Sequence, residues 1–185
     1  MKRIFVSLLF CAACTPAPSG DKAALLAQAR AQAAGAATPL LFIHAPRLRT
    51  SATLAPVGQN GPVTTWQTAD GVQVMTQAGM VIATRGFGDD IMATDLGGLP
   101  DALRDGGGQY QRHILRLDGN FGQLREKLAC SLSDGADGPR HRLEICDGIR
   151  NAYELGRNDA IRAATQWIGP RTGYLELTYL PQDQQ

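Results

Sequence analysis

The chain has 185 residues, and its 18 Lys and Arg against 17 Asp and Glu give a formal net charge of +1. This balance gives no reason to expect nucleic-acid binding, because that function needs a basic face for the phosphates. With 44% hydrophobic and 19% charged residues, the composition is typical of one globular domain and not of a disordered chain.

The first 13 residues have the order of a secretory signal. A basic start at Lys2 and Arg3 is followed by a seven-residue apolar run, Ile4 to Phe10, and then by small residues. Basic, apolar and small segments in this order are typical of a signal peptide. The run is far shorter than the ~20 residues of a membrane-spanning helix. No later segment approaches that length, so we expect no transmembrane helix.

Cys14 follows two alanines and predicts a lipid anchor. The stretch resembles a bacterial lipoprotein signal, in which a peptidase cuts before a cysteine that carries diacylglycerol. The usual pattern has Leu three positions earlier, whereas this chain has Cys11. Cys11 is itself a poor acceptor, because the bulky Phe10 precedes it. We therefore expect a signal peptide over residues 1–13 and attachment to the bilayer through acylated Cys14.

The segment after Cys14 indicates how the anchor joins the domain. TPAPSG is short, polar and proline-containing, so we expect an extended tether. In enteric lipoproteins an Asp directly after the cysteine retains the protein at the inner membrane. Thr15 stands here, which by this resemblance favours the outer membrane, with the protein facing the periplasm. The alternatives are a secreted protein without lipid, and a redox or zinc Cys-x-x-Cys pair, which would need a folded, polar setting.

The other two cysteines, Cys130 and Cys146, form an even pair in an exported protein, which predicts a disulfide. Between them lies SLSDGADGPRHRLEI, whose centre, DGADG, is typical of a turn. Two strands folding back at that turn would place the cysteines opposite each other. A disulfide closing a loop of this size stabilises by ~3 kcal/mol in the chain-entropy model. The alternative is two buried thiols.

The stretch from Asp21 to Ala37, DKAALLAQARAQAAGAA, predicts a helix because it is rich in Ala, Leu, Gln and Arg. Asp21 is a suitable N-cap, and Pro39 is expected to end the helix. The apolar stripe is weak, so the helix should lie on the surface of the domain or link it to the tether. Residues 14–38 are thus the lipidated cysteine, the tether and this helix.

From residue 39 onwards the hydrophobic period changes to two, which predicts a single antiparallel β domain over residues 39–185. Two hairpins are indicated, one by Asp70-Gly71 before VQVMT and one by Ala78-Gly79 before MVIATR. YLELTYL near the C-terminus alternates well. Many short strands with close turns favour a mainly β sandwich or barrel-like fold over a doubly wound α/β fold. The segment from Asp89 to Gln109 is predicted to be irregular, with a helical turn at Pro100 to Arg104.

The chain offers few residues with the pattern of a catalytic or metal site. His44, His113 and His141 are far apart in sequence, each in a strand-like run. No nucleophile elbow, phosphate-binding loop or dinucleotide motif is present. DGADG lacks the regularly spaced oxygen ligands of a calcium loop. We therefore expect no metal, no cofactor and no catalytic residue.

One acidic pair, Asp89 and Asp90 in GFGDD, could serve a glycosidase, which needs two carboxylates across a bond. Neighbours on an extended chain point to opposite faces, so one of them would need a partner such as Glu144 or Asp95. The alternative interpretation is a solvated turn. The aromatic residues allow two interpretations as well, a sugar-binding face or core packing, and core packing is favoured for the mid-strand Trp66 and Trp167. The other aromatic residues considered are Phe87, Tyr110, Tyr153, Tyr174 and Tyr179.

The stretch NGPVTTWQTADGVQVMTQAGMVIATRGFGDDIMATD resembles the central motif of the YjbF/GfcB family of lipoproteins. The match begins with a strand that contains Trp66, a turn at Asp70-Gly71 and a second turn at Gly79. It continues with a strand that ends in Thr84-Arg85-Gly86 and closes with Gly88-Asp89-Asp90. The paired cysteines with Glu144, and the closing AATQWIGPRTGYLELTYLP, are similar to the family's pattern. The resemblance covers residues 39–181, and the Ala-rich helix is not part of it.

The resemblance implies a mainly antiparallel β lipoprotein that assists the production or secretion of an exopolysaccharide or group 4 capsule. No catalytic residues carry over from the family. The expected partners are the bilayer and either polysaccharide-export proteins or the glycan, with possible contacts at Trp66, Arg85, Asp89 and Asp90. Two alternatives remain: a polysaccharide-modifying enzyme that uses Asp89 or Asp90, and a structural envelope lipoprotein without a link to glycan.

Overall fold

The computed structural model describes residues 21–117 and 123–181. The predicted signal peptide, Cys11, Cys14 and the predicted tether lie outside the described residues. The elements are two helices, α1 (Lys22–Ala34) and α2 (Leu99–Asp105), a 3₁₀ helix (Pro46–Leu48) and twelve strands: β1 (Leu40–Ala45), β2 (Thr50–Asn60), β3 (Val63–Gln67), β4 (Gln73–Gln77), β5 (Met80–Arg85), β6 (Ile91–Asp95), β7 (Gly108–Leu117), β8 (Gln123–Gly135), β9 (Gly138–Cys146), β10 (Ile149–Leu155), β11 (Ile161–Gly169) and β12 (Gly173–Leu180).

All twelve strands belong to one antiparallel sheet in the order β5-β4-β3-β2-β1-β12-β11-β10-β9-β8-β7-β6. Two runs of consecutive hairpins are joined where β1 pairs with β12, for example at Ile43 opposite Leu177. The edge strands β5 and β6 are consecutive in the chain and lie beside each other. The sheet therefore curls into a nearly closed barrel, which confirms the predicted mainly β, barrel-like fold.

The hairpin between β4 and β5 shows why the sequence turns where it does. Ala78 has φ 50° and Gly79 has φ 82°, the left-handed pair that suits the twist of a two-residue hairpin. A Cβ on Gly79 would lie 2.6 Å from Cβ of Ile161, across the barrel end. Glycine here thus permits both the turn and a close approach to β11.

The hydrophobic core fills the inside of the barrel, because alternate residues of each strand point inward. Leu41, Leu54, Val74, Ile168 and Leu175 are all 0% exposed. A second, smaller cluster lies on the outer face, where Ala29 and Ala33 of α1 pack against Phe42 and Leu180. The Ala-rich helix thus lies on the barrel surface, over β1 and β12.

Two details differ from the sequence-based expectation. Helix α1 ends at Ala34 and is capped by Gly35, so glycine, a poor helix former, ends it before Pro39. The segment predicted to be irregular contains strand β6 as well as α2. Strand β6 was missed because it is short, lies at the sheet edge, and has mostly exposed residues between Ile91 and Asp95.

Candidate functional site

The acidic pair lies in the turn between β5 and β6, and Asp90 organises that turn. Its carboxylate accepts hydrogen bonds from the Thr84 hydroxyl at 3.0 Å and from the backbone N–H groups of Gly86 and Phe87 at 2.9 and 3.1 Å. The Thr84 oxygen in turn accepts from the backbone N–H of Ile91 at 3.0 Å. Asp90 and Thr84 therefore join the two edge strands where the sheet does not pair.

Asp89 points away from Asp90, to the turn between β11 and β12. Its carboxylate accepts from Nε of Arg171 at 2.6 Å, from the backbone N–H of Arg171, and from the backbone N–H of Thr172 at 3.2 Å. Burial acts to raise the pKa of this carboxyl, but the Arg171 and Thr172 hydrogen bonds and the Arg171 charge outweigh it, so the pKa is lowered. A Cβ on Gly169 would lie 2.6 Å from Cβ of Asp89, so glycine leaves room for this contact.

Asp89 and Asp90 each hold turns of the barrel in place through hydrogen bonds. Each carboxylate is held by three hydrogen-bond donors of its surrounding turns, and the two point in different directions. A glycosidase needs two carboxyl groups that face each other across a substrate. Asp90 holds together the junction of β5 and β6, and Asp89 joins this turn to the turn between β11 and β12. We call the junction, with these two turns, the barrel seam.

The other two predicted contacts lie in different places. Trp66 is 6% exposed and lies inside the barrel. Its Nε1–H donates to Thr76 Oγ1 at 2.8 Å, and its ring packs edge-to-face against Tyr179 with centroids 5.9 Å apart. Arg85, at the end of β5, is exposed. The structure therefore gives Trp66 a packing role and leaves Arg85 accessible.

The three histidines stay apart, on β1, β7 and β9. His44 Nδ1 lies 2.8 Å from Ser51 Oγ, His113 lies 3.7 Å from Asp95, and His141 lies 3.9 Å from Glu154. None of these three contacts joins one histidine to another.

A polar cluster inside the barrel surrounds Glu144, which is 0% exposed. Its oxygens accept from Arg112 Nη1 at 2.9 Å, from the hydroxyls of Tyr110 at 2.9 Å and Tyr153 at 2.7 Å, and from the amide of Asn151 at 2.7 Å. Four donor side chains thus compensate one buried carboxylate, as burial of a charge requires. We call this set the Glu144 cluster.

The Glu144 cluster changes the titration of its tyrosines. Burial, and then the Glu144 charge, raise the pKa values of Tyr110 and Tyr153. For Arg112, burial acts to lower the pKa, but the charge and hydrogen bonds of Glu144 oppose it and the pKa is raised. Both tyrosines therefore stay protonated donors and Arg112 stays a cation.

The disulfide borders this cluster. Cys130 and Cys146 are directly opposite each other on β8 and β9, and their sulfurs are bonded. Their ligand atoms and a carboxylate oxygen of Glu144 lie within 4.8 Å of one another, a grouping that could hold a metal ion. In the oxidised form both sulfurs are used in the S–S bond and Glu144 is held by its donors, so this grouping does not fit a metal. The sequence singled out Glu144 as a companion of Cys146 and as a possible partner carboxylate for Asp89 or Asp90, whereas in the structure its oxygens are held by Arg112, Tyr110, Asn151 and Tyr153. Its register opposite Asn151 needed the fold.

Outside the barrel, a concave strip crosses strands β9 to β12, between α1 and the β8–β9 turn. We call it the outer groove; its floor is made by Ala152, Ala163, Thr165 and Thr178. It consists of two adjoining cavities of about 410 and 460 Å³, which share lining residues. Sequence analysis missed it, because its residues come from four strands and a helix.

The charges of the outer groove fall into two groups. Glu154 accepts a hydrogen bond from Arg162, and Glu176 accepts one from Lys22, so these two carboxylates are paired. The third lining carboxylate, Asp137, is exposed in the β8–β9 turn. Exposed arginines at the rim form the other group. Within the described residues, Arg150 has no acidic partner at ion-pair distance, and neither does Arg157, which lines a third cavity that adjoins the groove at Glu154. The groove is cationic, because its lining has more cations than carboxylates: Lys22, Arg30, Arg142, Arg150 and Arg162 against Asp137, Glu154 and Glu176.

Comparison with known proteins identifies the family of this chain. The model of a family described as group 4 capsule polysaccharide lipoprotein GfcB, YjbF matches residues 17–135. The chain belongs to the YjbF family. The match includes the Ala-rich helix, which the sequence resemblance had left outside. The family is one of capsule polysaccharide lipoproteins, so membership implies a location in the cell envelope.

A solved structure supports the fold of this YjbF-family member. The chain is similar to the hypothetical lipoprotein YmcC from Escherichia coli K12, with a TM-score of 0.68 and 13% sequence identity. The similarity covers 88% of this chain and 94% of the other. At this identity the likeness concerns the fold alone. No curated protein matches the chain.

Among the residues that the structure describes, no helix is both long and apolar enough to cross a membrane.

Proposed function

We propose that the protein is a lipid-anchored, non-enzymatic accessory factor in the production or secretion of an exopolysaccharide or capsule. It would face the periplasm, on the outer membrane. The observation that carries this proposal is membership of the capsule polysaccharide lipoprotein family over residues 17–135.

The anchor part of the proposal rests on Cys14 and its distance from the fold. Only seven residues separate Cys14 from the first residue of α1, Lys22. Acyl chains on Cys14 would contribute ~0.8 kcal/mol per buried CH₂, and more than one chain is needed for stable attachment. A short tether would then keep the barrel close to the membrane surface.

The non-enzymatic part is supported by the roles of the carboxylates. Asp89 and Asp90 fasten turns, and Glu144 is enclosed by four donor side chains in the barrel. The protein would therefore act by presenting a surface to glycan or to a polysaccharide-export protein. Of the predicted contacts, Arg85 is exposed and can take part directly, whereas Trp66, Asp89 and Asp90 would act by holding the barrel together.

The proposal is tested in a strain that lacks the gene, complemented with variants at equal protein level. The wild-type protein should restore surface polymer, and Asp89→Ala/Asp90→Ala should leave polymer yield and chain length unchanged. A changed chain length with the double variant would favour the alternative, an enzyme. Normal polymer in the deletion strain itself would favour a structural envelope lipoprotein and contradict the proposal.

The anchor has its own test by membrane fractionation. Cys14→Ala should move the protein from the membrane to the soluble periplasmic fraction. Cys11→Ala is the matched control, because it changes the neighbouring cysteine and should leave the protein in the membrane fraction. If Cys14→Ala still sediments with membranes, the lipid assignment is wrong.

A further inference from the structure

We propose that the outer groove is the binding site for an acidic polysaccharide. The inference rests on the proposed function and adds the place and the chemical class of the ligand. It is carried by the shape, the charge and the floor of the groove.

The shape suits a polymer chain. The two adjoining cavities share Glu154, Ala163 and Thr178, so they form one continuous path across the strands. The path is bounded by α1 on one side and by the β8–β9 turn on the other. A ligand that enters and leaves at the two ends is a chain, whereas a small molecule is usually held in an enclosed pocket.

The charge suits a polyanion. Arg150 and Arg157 are exposed, and the described residues place no carboxylate at ion-pair distance from either. Arg30 and Arg140 are exposed at the same rim. Two of the three carboxylates that line the groove, Glu154 and Glu176, are paired with cations, and the third, Asp137, lies at its edge in the β8–β9 turn. Arginine binds a carboxylate through two parallel hydrogen bonds, so uronic acids fit this rim.

The floor suits sugar rings. Ala152 and Ala163 let a ligand come close to the backbone, while Thr165 and Thr178 offer hydroxyls for hydrogen bonds with sugar hydroxyls. On the same outer face, two residues beyond Thr165 on β11 and four residues before Thr178 on β12, Trp167 and Tyr174 pack edge-to-face with centroids 5.1 Å apart, and both are partly exposed. Aromatic rings of this kind offer an apolar face with a polar edge.

A protein partner fits less well. Protein interfaces depend on large apolar or aromatic anchors that fill pockets, and the groove floor consists of small side chains. An acidic peptide is therefore the alternative occupant that the experiment must separate from a glycan.

The experiment measures binding of the full-length, detergent-solubilised protein to polygalacturonate, alginate and hyaluronate by biolayer interferometry. Dextran is the uncharged control polymer, and poly-glutamate is the acidic peptide. At least one uronate polymer should bind more tightly than dextran and poly-glutamate, and its affinity should fall as NaCl rises, since salt screens exposed charges.

Two matched double variants locate the site. Arg150→Glu/Arg157→Glu should weaken uronate binding by about 10-fold or more, because two exposed attractions become repulsions. Arg125→Glu/Lys127→Glu makes the same change in net charge at exposed positions on β8, outside the groove, and should change binding less than about 2-fold. Circular dichroism and melting curves should be alike for both variants.

Three results would overturn the inference: no uronate polymer binds better than dextran, poly-glutamate binds as well as the uronates, or both double variants weaken binding equally. Each of these leaves the genetic test of the proposed function unaffected. Conversely, uronate binding at the groove together with normal polymer in the deletion strain would retain the site and reject the function.

Discussion

The Glu144 cluster and the outer groove are two charged regions on opposite faces of one sheet, and they share strands β9 and β10. In the Glu144 cluster one carboxylate at 0% exposure is surrounded by Arg112, Tyr110, Tyr153 and Asn151. In the outer groove, by contrast, arginines such as Arg150 are exposed and lack an acidic partner among the described residues. The comparison separates charges that hold the fold from charges that are available to a ligand.

The physical reason for the difference is the environment of each charge. Inside the barrel an unpaired ion is very unfavourable, so Glu144 accepts hydrogen bonds from four neighbouring side chains. On the surface water solvates an unpaired arginine at little cost, so such a residue adds little to stability. Substitutions in the two regions should therefore have opposite profiles: loss of stability for one, loss of binding for the other.

The largest effect is expected from Glu144→Gln. Removing the charge leaves the buried Arg112 without its counter-ion, which should lower the free energy of unfolding by about 3–5 kcal/mol. Urea denaturation followed by circular dichroism measures it. Glu154→Gln, at the partly exposed carboxylate of the outer groove, is the control and should cost less than about 1 kcal/mol. Equal losses in the two variants would contradict the distinction between the regions.

The second-largest loss of stability is expected from removal of the disulfide beside the Glu144 cluster. Cys130 and Cys146 are 16 residues apart in sequence, and replacing both with alanine should lower the free energy of unfolding by about 3 kcal/mol, because the unfolded chain gains freedom. Polysaccharide binding by the folded protein should stay unchanged. A loss of binding without a loss of stability would show that the cysteines belong to the binding region instead.

A smaller effect is expected from Asp89→Asn at the barrel seam. The substitution should lower the free energy of unfolding by about 1–3 kcal/mol, because it weakens the hydrogen bonds from Arg171 and Thr172. The lowered pKa of Asp89 gives the sign of its pH dependence. Its stabilisation is present above the unfolded-state pKa, about 4, and is lost as the pH falls through the folded-state value. Denaturation curves from pH 7 to pH 2 should thus converge for wild type and Asp89→Asn. Asp137→Asn, at an exposed turn, should follow the wild type throughout.

The smallest effect is a spectroscopic one at the outer face. The chain has two tryptophans, and Trp66 is buried while Trp167 is partly exposed. Addition of a bound uronate polymer should therefore change the fluorescence of Trp167, and the change should remain in Trp66→Phe and vanish in Trp167→Phe. A change that follows Trp66 instead would place the ligand away from the outer face.

Local signals were enough to predict much of the fold. Ala78-Gly79 specified a hairpin because its two positive φ angles suit that turn, and the alternation in YLELTYL matched the in-and-out pattern of β12. Strand β6 was not predicted, because its residues are mostly exposed and its place at the edge depends on β7.

The candidate sites depended on long-range register, which a single sequence does not show. Glu144 meets Arg112 across 32 residues and Asp89 meets Arg171 across 82. The outer groove likewise combines residues from β9, β10, β11 and β12 with α1. The sequence pattern predicts which residues of one strand point to the same side. Which residues of different strands face one another is seen only in the folded barrel.

The most direct test of the account compares surface polymer in the deletion strain complemented with Arg150→Glu/Arg157→Glu and with Asp89→Asn/Asp90→Asn, at equal protein level by immunoblot. The account predicts that the groove variant loses polymer while the seam variant restores the wild-type yield and chain length. Normal polymer with the groove variant, together with altered polymer with the seam variant, would contradict it.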